Sequence, residues 1–207
     1  MKFMTKLLSI LFFPLFIPIY GAFLLFSLTI FSFYPPHYIW GAYLTVAVFG
    51  TIIPFICILI LYKLKIISNM ELEKSKDRFL PYFCTSISYY VCAAILSKLA
   101  MPIYIPLLMV AIAVALFINA VISIWWKISA HMVGVSGLLG GILCVSWKLH
   151  INPSLWMIAI TLVCGLVAAS RLHLNAHTQG QVAAGFLNGL ICTMIIPNLG
   201  IGYRLFF

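Results

Sequence analysis

Long uninterrupted apolar runs are the feature that most constrains how this chain can fold. They occupy residues 7–33, 38–62, 79–96, 103–126, 131–147, 154–170 and 182–197. A helix needs about 20 apolar residues to cross the hydrocarbon core of a bilayer. Because the runs are continuous rather than alternating, they predict helices and not barrel strands. The fold class predicted is therefore all-α, a polytopic transmembrane helical bundle of about six to seven spans.

The number of spans depends on the first run. Pro14 and Pro18 lie inside it, and proline kinks or breaks a helix. Either seven spans or six spans plus an irregular segment are compatible with this pattern. In both cases residues 1–207 are predicted to form a single integral membrane domain.

Charged residues are rare, and their distribution restricts the chemistry. The net charge is +9, but the basic residues sit in the connections between apolar runs, where they contact membrane lipids. Nucleic acid is therefore not expected as a partner. The only three acids, Glu71, Glu73 and Asp77, share one connection. Because Mg²⁺ and Ca²⁺ sites draw on carboxylates, no metal site and no cofactor are expected. The same lack of intramembrane carboxylates argues against a proton-coupled transporter.

Each crossing of the membrane switches sides, so three polar connections are expected on one face. They are residues 63–78, 127–131 and 171–181. Nine of the twelve Lys and Arg residues lie on that face, against three on the other, Lys98, Lys148 and Arg204. The positive-inside rule predicts that the nine-residue face is cytoplasmic.

The polar residues of these three connections form a set suited to a phosphoryl group. Cations neutralise phosphoryl oxygens, one histidine can attack phosphorus, and a second can protonate the leaving oxygen. An Arg and a His held near membrane depth are costly, which favours a functional site. The set comprises Lys74, Arg78, Lys127, Ser129, His131, Ser170, Arg171, His177 and Gln181.

These residues resemble the type 2 phosphatidic acid phosphatase superfamily, the lipid phosphatases related to vanadium haloperoxidases. Its motifs are Lys-x6-Arg-Pro, Pro-Ser-Gly-His and Ser-Arg-x5-His-x3-Asp, in that order. The third is matched best, by Ser170, Arg171 and His177, and the second by Ser129-Ala130-His131. The first is matched loosely, by Arg78-x2-Pro81 with Lys74 or Lys76 upstream. The resemblance covers a core of about residues 74–189, and residues 7–62 are extra N-terminal spans.

The resemblance implies a hydrolase for a phosphate or pyrophosphate monoester of a lipid. It implies that His177 is the nucleophile of a phosphohistidine intermediate and that His131 is the acid for the leaving group. The implied phosphate-binding residues are Lys74, Arg78, Ser129 and Arg171. The resemblance also implies a bacterial inner membrane, with the site on the periplasmic face, opposite to the charge count.

Two positions depart from the superfamily pattern. Gln181 stands where the superfamily has the Asp that orients the nucleophile, and Ala130 replaces a Gly. An amide can hold an imidazole ring in place, but it cannot stabilise its positive charge. Two compensations are open: a carboxylate from Glu71, Glu73 or Asp77 reaches His177, or burial keeps the ring neutral.

The same departures support an alternative function. A relative that has lost the orienting Asp can retain the phosphate pocket without turnover. The alternative is therefore a non-catalytic binder or transporter of a phosphorylated lipid.

Overall fold

The computed structural model describes residues 2–199, and all regular secondary structure in this range is helical. Four short 3₁₀ helices (Pro14–Phe16, Ile30–Phe33, Ser75–Arg78, Ile196–Asn198) and one π-helical segment (Val48–Ile52) interrupt or extend the α-helices. Arg204, one of the three cations counted on the opposite face, lies outside the described residues. The α-helices are α1 (Lys2–Leu11), α2 (Ile17–Leu28), α3 (Pro36–Ala47), α4 (Ile53–Lys63), α5 (Phe79–Lys98), α6 (Tyr104–Ser123), α7 (Ala130–Leu149), α8 (Ser154–His173) and α9 (Gln179–Ile195).

Seven stretches are long and apolar enough to cross a membrane, which confirms the predicted polytopic helical fold. Their lengths of 20–28 residues match the thickness of the hydrocarbon core. The protein is thus an integral membrane protein. The stretches are Met4–Leu28, Pro36–Lys63, Ser75–Lys98, Tyr104–Ser123, Ala130–Leu149, Ser154–His173 and Gln179–Asn198.

The first span is a broken helix. Its α-helical structure stops at Leu11 and resumes at Ile17, with Pro14 starting a 3₁₀ turn between the two pieces. A proline supplies no N–H and its ring clashes with the preceding turn, so a continuous helix cannot form there. The two pieces pack differently: α1 lies against α8, whereas α2 lies against α3 and α7.

Helices α7 and α9 form the closest pair, and glycines on both make this approach possible. A Cβ atom at Gly189 would collide with the backbone carbonyl oxygen of Val133. A Cβ atom at Gly185 would collide in the same way with the carbonyl oxygen of Ser129. Small residues allow membrane helices to approach closely, and here they bring the start of α9 against the start of α7.

We expect Gly189→Ala to destabilise the bundle by about 1–3 kcal/mol, the usual cost of an added methyl group in a fully packed contact. The backbone of α7 must move away, because the atom it meets is a carbonyl and not a flexible side chain. Thermal unfolding in detergent measures the effect. Gly165→Ala on α8 is the matched control, since nothing lies within 4 Å of a Cβ there. Equal melting temperatures for the two variants would contradict the close-packing interpretation.

Six helix ends meet on one face of the bundle. Helices α4, α6 and α8 end there, and α5, α7 and α9 begin there, because each connection is short enough to join antiparallel neighbours. This is the face on which the sequence predicted the three polar connections to lie together. The side chains at these six ends determine the chemistry available on it.

Candidate functional site

Four of the predicted site residues line a single cavity on this face. They are Arg78, His131, Arg171 and His177, and the cavity has a volume of about 100 Å³. Each comes from a different helix end: Arg78 precedes α5, His131 starts α7, Arg171 is near the end of α8, and His177 precedes α9. Residues separated by almost 100 positions are therefore neighbours.

The imidazole of His177 is buried and held through one nitrogen. Its exposed fraction is 8%, and its Nδ1 lies 3.2 Å from the carbonyl oxygen of Lys127 and 3.2 Å from Oε1 of Gln181. Both neighbours are acceptors, so Nδ1 carries the hydrogen and donates it. The lone pair of the neutral ring is consequently on Nε2, which makes no hydrogen bond to the described residues.

Gln181 holds the ring because it also caps α9. Thr178 is the residue before the helix, and its backbone N–H donates to Gln181 Oε1 over 3.2 Å. The backbone N–H of Gln181 donates in turn to Oγ1 of Thr178 over 3.4 Å. This reciprocal capping box fixes which end of the amide is oxygen. An amide oxygen therefore orients His177 through a hydrogen bond, without adding negative charge.

Burial, followed by the positive charges of Arg78 and Arg171, lowers the pKa of His177 to about 4. The pKa of Lys127 is also lowered, first by burial and then by the same two guanidinium charges. At neutral pH the His177 ring is uncharged and its Nε2 lone pair is available. This neutral state is the one expected if burial, and not a carboxylate, compensates for the missing Asp.

One ring nitrogen of His131 is held by a hydrogen bond. Its Nε2 lies 3.1 Å from the carbonyl oxygen of Ser9 on α1. A carbonyl only accepts, so Nε2 carries a hydrogen and Nδ1 of the neutral ring carries the lone pair. Phe13 packs edge-on against the ring, with 5.9 Å between the ring centroids. His131 and His177 are thus each fixed through one N–H, which leaves Nδ1 of His131 and Nε2 of His177 as the nitrogens with lone pairs.

The guanidinium of Arg78 is buried, with 5% of its surface exposed, and is fixed by two carbonyl groups. Its Nε donates to Leu72 over 2.6 Å and its Nη1 donates to Ile128 over 2.9 Å. In residues 2–199, neither Arg78 nor Arg171 has a carboxylate among its hydrogen-bond partners. Two guanidinium charges line the cavity against the single carboxylate of Glu71, and this excess of positive charge favours an anion.

Two buried polar atoms of the site have no hydrogen-bond partner among the described residues. They are Oγ of Ser129, in a side chain with 0% exposure, and Nε of Arg171. Leaving a buried donor unsatisfied costs about 1–3 kcal/mol, so native proteins seldom do so without a reason. Arg171 lines the cavity, so an acceptor-rich ligand there would satisfy its Nε donor.

The first helix contributes two residues that the sequence interpretation missed. The hydroxyl of Ser170 donates to the carbonyl oxygen of Thr5 over 2.8 Å, and Nη1 of Arg171 donates to Oγ of Ser9 over 3.2 Å. Thr5 and Ser9 are one helical turn apart, so they share a face of α1. The spacing of these two polar residues beside an apolar run was the sequence feature that could have indicated their part in the site.

Asp77 and Glu73 are not arranged as the first compensation required. Asp77 Oδ2 accepts hydrogen bonds from the backbone N–H and the hydroxyl of Ser68, and Glu73 is bonded to Asn69. Glu71 lines the cavity, although its side chain is exposed. Asp77 therefore braces its own loop instead of orienting His177.

Two predicted phosphate-binding residues, Lys74 and Ser129, are not among the residues that line the cavity. Ser129 is fully buried. Lys74 lies in extended backbone before the 3₁₀ helix Ser75–Arg78, and its side chain is exposed. The 3₁₀ turn that buries Arg78 begins at Ser75 and therefore does not include Lys74. Lys127 is the closer lysine, since it is half-buried and its carbonyl oxygen contacts His177.

A comparison with known protein families, with curated proteins and with solved structures finds no match to this chain.

Proposed function

We propose that this protein is a membrane lipid phosphatase that hydrolyses a phosphate or pyrophosphate monoester through a phosphohistidine, without a metal. One observation carries the proposal: two guanidinium groups and two histidines, each histidine fixed through one N–H with its second nitrogen carrying a lone pair, line one cavity. The resemblance of the three motifs to the phosphatidic acid phosphatase superfamily supports it. A bacterial inner membrane is part of the same proposal and follows from that resemblance alone.

In the first step, Nε2 of His177 attacks the phosphorus atom while Nδ1–H remains bonded to Gln181. The bond between phosphorus and the lipid oxygen breaks, and His131 gives a proton from its Nδ1 to that oxygen, while its Nε2–H stays bonded to Ser9. The substrate supplies this proton when it binds as the phosphate monoanion and passes its proton to the Nδ1 lone pair. Arg78 and Arg171 donate hydrogen bonds to the phosphoryl oxygens as negative charge develops on them.

In the second step, water attacks the phosphorus of the phosphohistidine. His131, now neutral, accepts a proton from this water at Nδ1, and the bond between phosphorus and Nε2 of His177 breaks. Inorganic phosphate takes this proton and leaves as the monoanion, and both histidines return to their starting states. Hydrolysis consumes one water and releases one lipid alcohol, so atoms and charge balance.

The test is phosphate release by purified protein in detergent or nanodiscs, with a panel of lipid phosphates and pyrophosphates. Acid-labile, base-stable labelling of the protein by a radioactive substrate identifies the phosphohistidine. No phosphate release from any member of the panel would contradict the proposal. Binding that depends on Arg171 but persists without both histidines, and without hydrolysis, would instead establish the non-catalytic binder.

Replacing Gln181 by Glu tests how the nucleophile is oriented. Glu keeps both hydrogen bonds of the amide oxygen and adds a negative charge beside Nδ1. We expect the pKa of His177 to rise from about 4 by roughly one to three units, because a nearby opposite charge favours the imidazolium. The acid limb of the pH-rate profile, where the nucleophile becomes protonated, then moves to higher pH. The turnover rate above that limb should increase, since the developing positive charge is stabilised.

Gln179→Glu is the matched control for this prediction. It adds the same charge to the first turn of α9 at an exposed position, two residues away. An acid limb that stays near the wild-type value in Gln181→Glu, or moves equally in both variants, would show that Gln181 does not orient His177.

A further inference from the structure

We propose that the substrate carries a single long apolar chain, and that this chain lies inside the bundle in a channel along the seam between α2 and α7. This inference rests on the proposed function for the identity of the phosphorylated head group. The channel begins at the cavity that contains the two histidines and leads away from the polar face. Its position makes chain length, as well as the head group, a determinant of specificity.

Three cavities follow one another along this seam. On α7 the first reaches from Ala130 to Gly137, the second from Gly137 to Ile142, and the third from Ile142 to Ser146. Helix α2 lines them in the same order. Neighbouring cavities share wall residues: Ile17, Pro18, Ile112 and Gly137 line the first two, and Leu25 and Ile142 line the last two.

The second cavity is lined by apolar side chains and glycines alone. Gly21, Gly137 and Gly141 leave space where other residues would place side chains. The first cavity has a volume of about 100 Å³ and the second about 50 Å³. A water-sized group needs roughly 10–15 Å³ by this measure, so each space is several times larger. An apolar interior of this size suits an alkyl or isoprenoid chain better than water.

The length of the first two cavities corresponds to one lipid chain. From His131 to Ile142 the helix rises by about 16 Å, at 1.5 Å per residue. One leaflet contributes about half of the roughly 30 Å hydrocarbon core, which is about 15 Å. A phosphate held between Arg78 and Arg171 therefore leaves room below it for one chain. The three cavities form a single row along the seam, which suits a lipid with one chain better than a two-chain lipid.

The broken first span explains how the polar site and the apolar channel are continuous. Pro14 and Pro18 line the first cavity, at the point where α1 turns away from the line of α2. Helix α1 then packs beside the histidines, whereas α2 continues along the channel. A single unbroken helix could not both pack beside the histidine site and continue along the channel.

Gly21→Leu tests the channel by narrowing its second cavity. A Cβ at Gly21 lies 3.4 Å from Leu138, an ordinary contact, so the larger side chain extends into the cavity without a backbone collision. The assay compares kcat/KM for a series of single-chain alkyl phosphates of increasing length. We expect short-chain rates to be retained and long-chain rates to fall by about 10-fold or more, as for pockets that lose room for methylenes. Gly165→Leu, on the exposed side of α8, is the control and should leave the whole profile unchanged.

A loss that is equal at every chain length, or an unchanged profile, would overturn the channel. Photo-crosslinking of the wild-type protein with a long-chain alkyl phosphate that carries a mid-chain diazirine gives a second readout. Labels on Ile112 and Ile142 support the channel. Labels confined to bilayer-facing residues, such as Leu162 and Leu166, overturn it.

The two readouts separate this inference from the proposed hydrolysis. Interior labelling without phosphate release would leave the channel standing and refute turnover. Phosphate release together with labelling only at bilayer-facing residues would support turnover and refute the channel.

Discussion

His177→Ala is expected to abolish phosphate release, with a loss of roughly 10⁴-fold or more, as for removal of other covalent nucleophiles. The ring supplies the nucleophilic nitrogen of the proposed first step, and its Nδ1 is already bonded to Gln181 and Lys127. Labelling of the protein by radioactive substrate should disappear as well. Phosphate release from the best substrate of the panel, together with acid-quench labelling, measures both effects.

His173→Ala is the matched control for the nucleophile. His173 is the last residue of α8, four positions before His177, but its side chain is exposed and it does not line the cavity. This variant should retain wild-type activity. A substantial rate in His177→Ala, or an equal loss in both variants, would contradict the assignment.

Arg171→Gln is expected to lower kcat/KM by about 10²–10³-fold, the usual effect of removing one preorganised donor from a developing oxyanion. The substitution removes both the charge and the Nε donor that is buried without a partner among the described residues. The kcat/KM of Arg171→Lys should lie between the values of the wild type and of Arg171→Gln, because lysine keeps the charge but loses the planar fork of donors. Melting temperatures of the purified variants separate this effect from unfolding.

Lys74→Gln is the control that separates geometry from sequence resemblance. The superfamily motif assigns a lysine before Arg78 to phosphate, yet Lys74 is exposed and lies away from the cavity. We expect this substitution to change kcat/KM by less than about 2-fold, as for a screened surface charge. A loss comparable to that of Arg171→Gln would mean that the loop containing Lys74 closes over the substrate.

Much of the fold could be predicted from the apolar runs because the bilayer limits the choices. A backbone without water must satisfy its own hydrogen bonds, so each long apolar run becomes a helix. The short connections then fix which helix ends share a face. For this reason Arg78, His131, Arg171 and His177 could be grouped before their positions were known. The break at Pro14 was also foreseeable, since proline has the same effect in any helix.

The details of the site could not be predicted, because they depend on contacts between distant segments. Ser9 and Arg171 are 162 positions apart, and only the bend of α1 brings them together. Asp77 is near Arg78 in sequence, yet its carboxylate is held by Ser68. Gln181 orients His177 because it is part of a capping box and also lies beside the ring. The spacing of these residues in the sequence does not show this double contact.

The sequence by itself therefore determined the membrane-spanning architecture and the face on which the polar residues gather. Local physics decides these features, through the cost of burying an unsatisfied backbone and the length of each apolar run. Only the tertiary structure decided the tautomers of the two histidines, the exclusion of Lys74 and the row of cavities between α2 and α7. These features arise where several helices meet, and a small change in packing alters which atoms face one another.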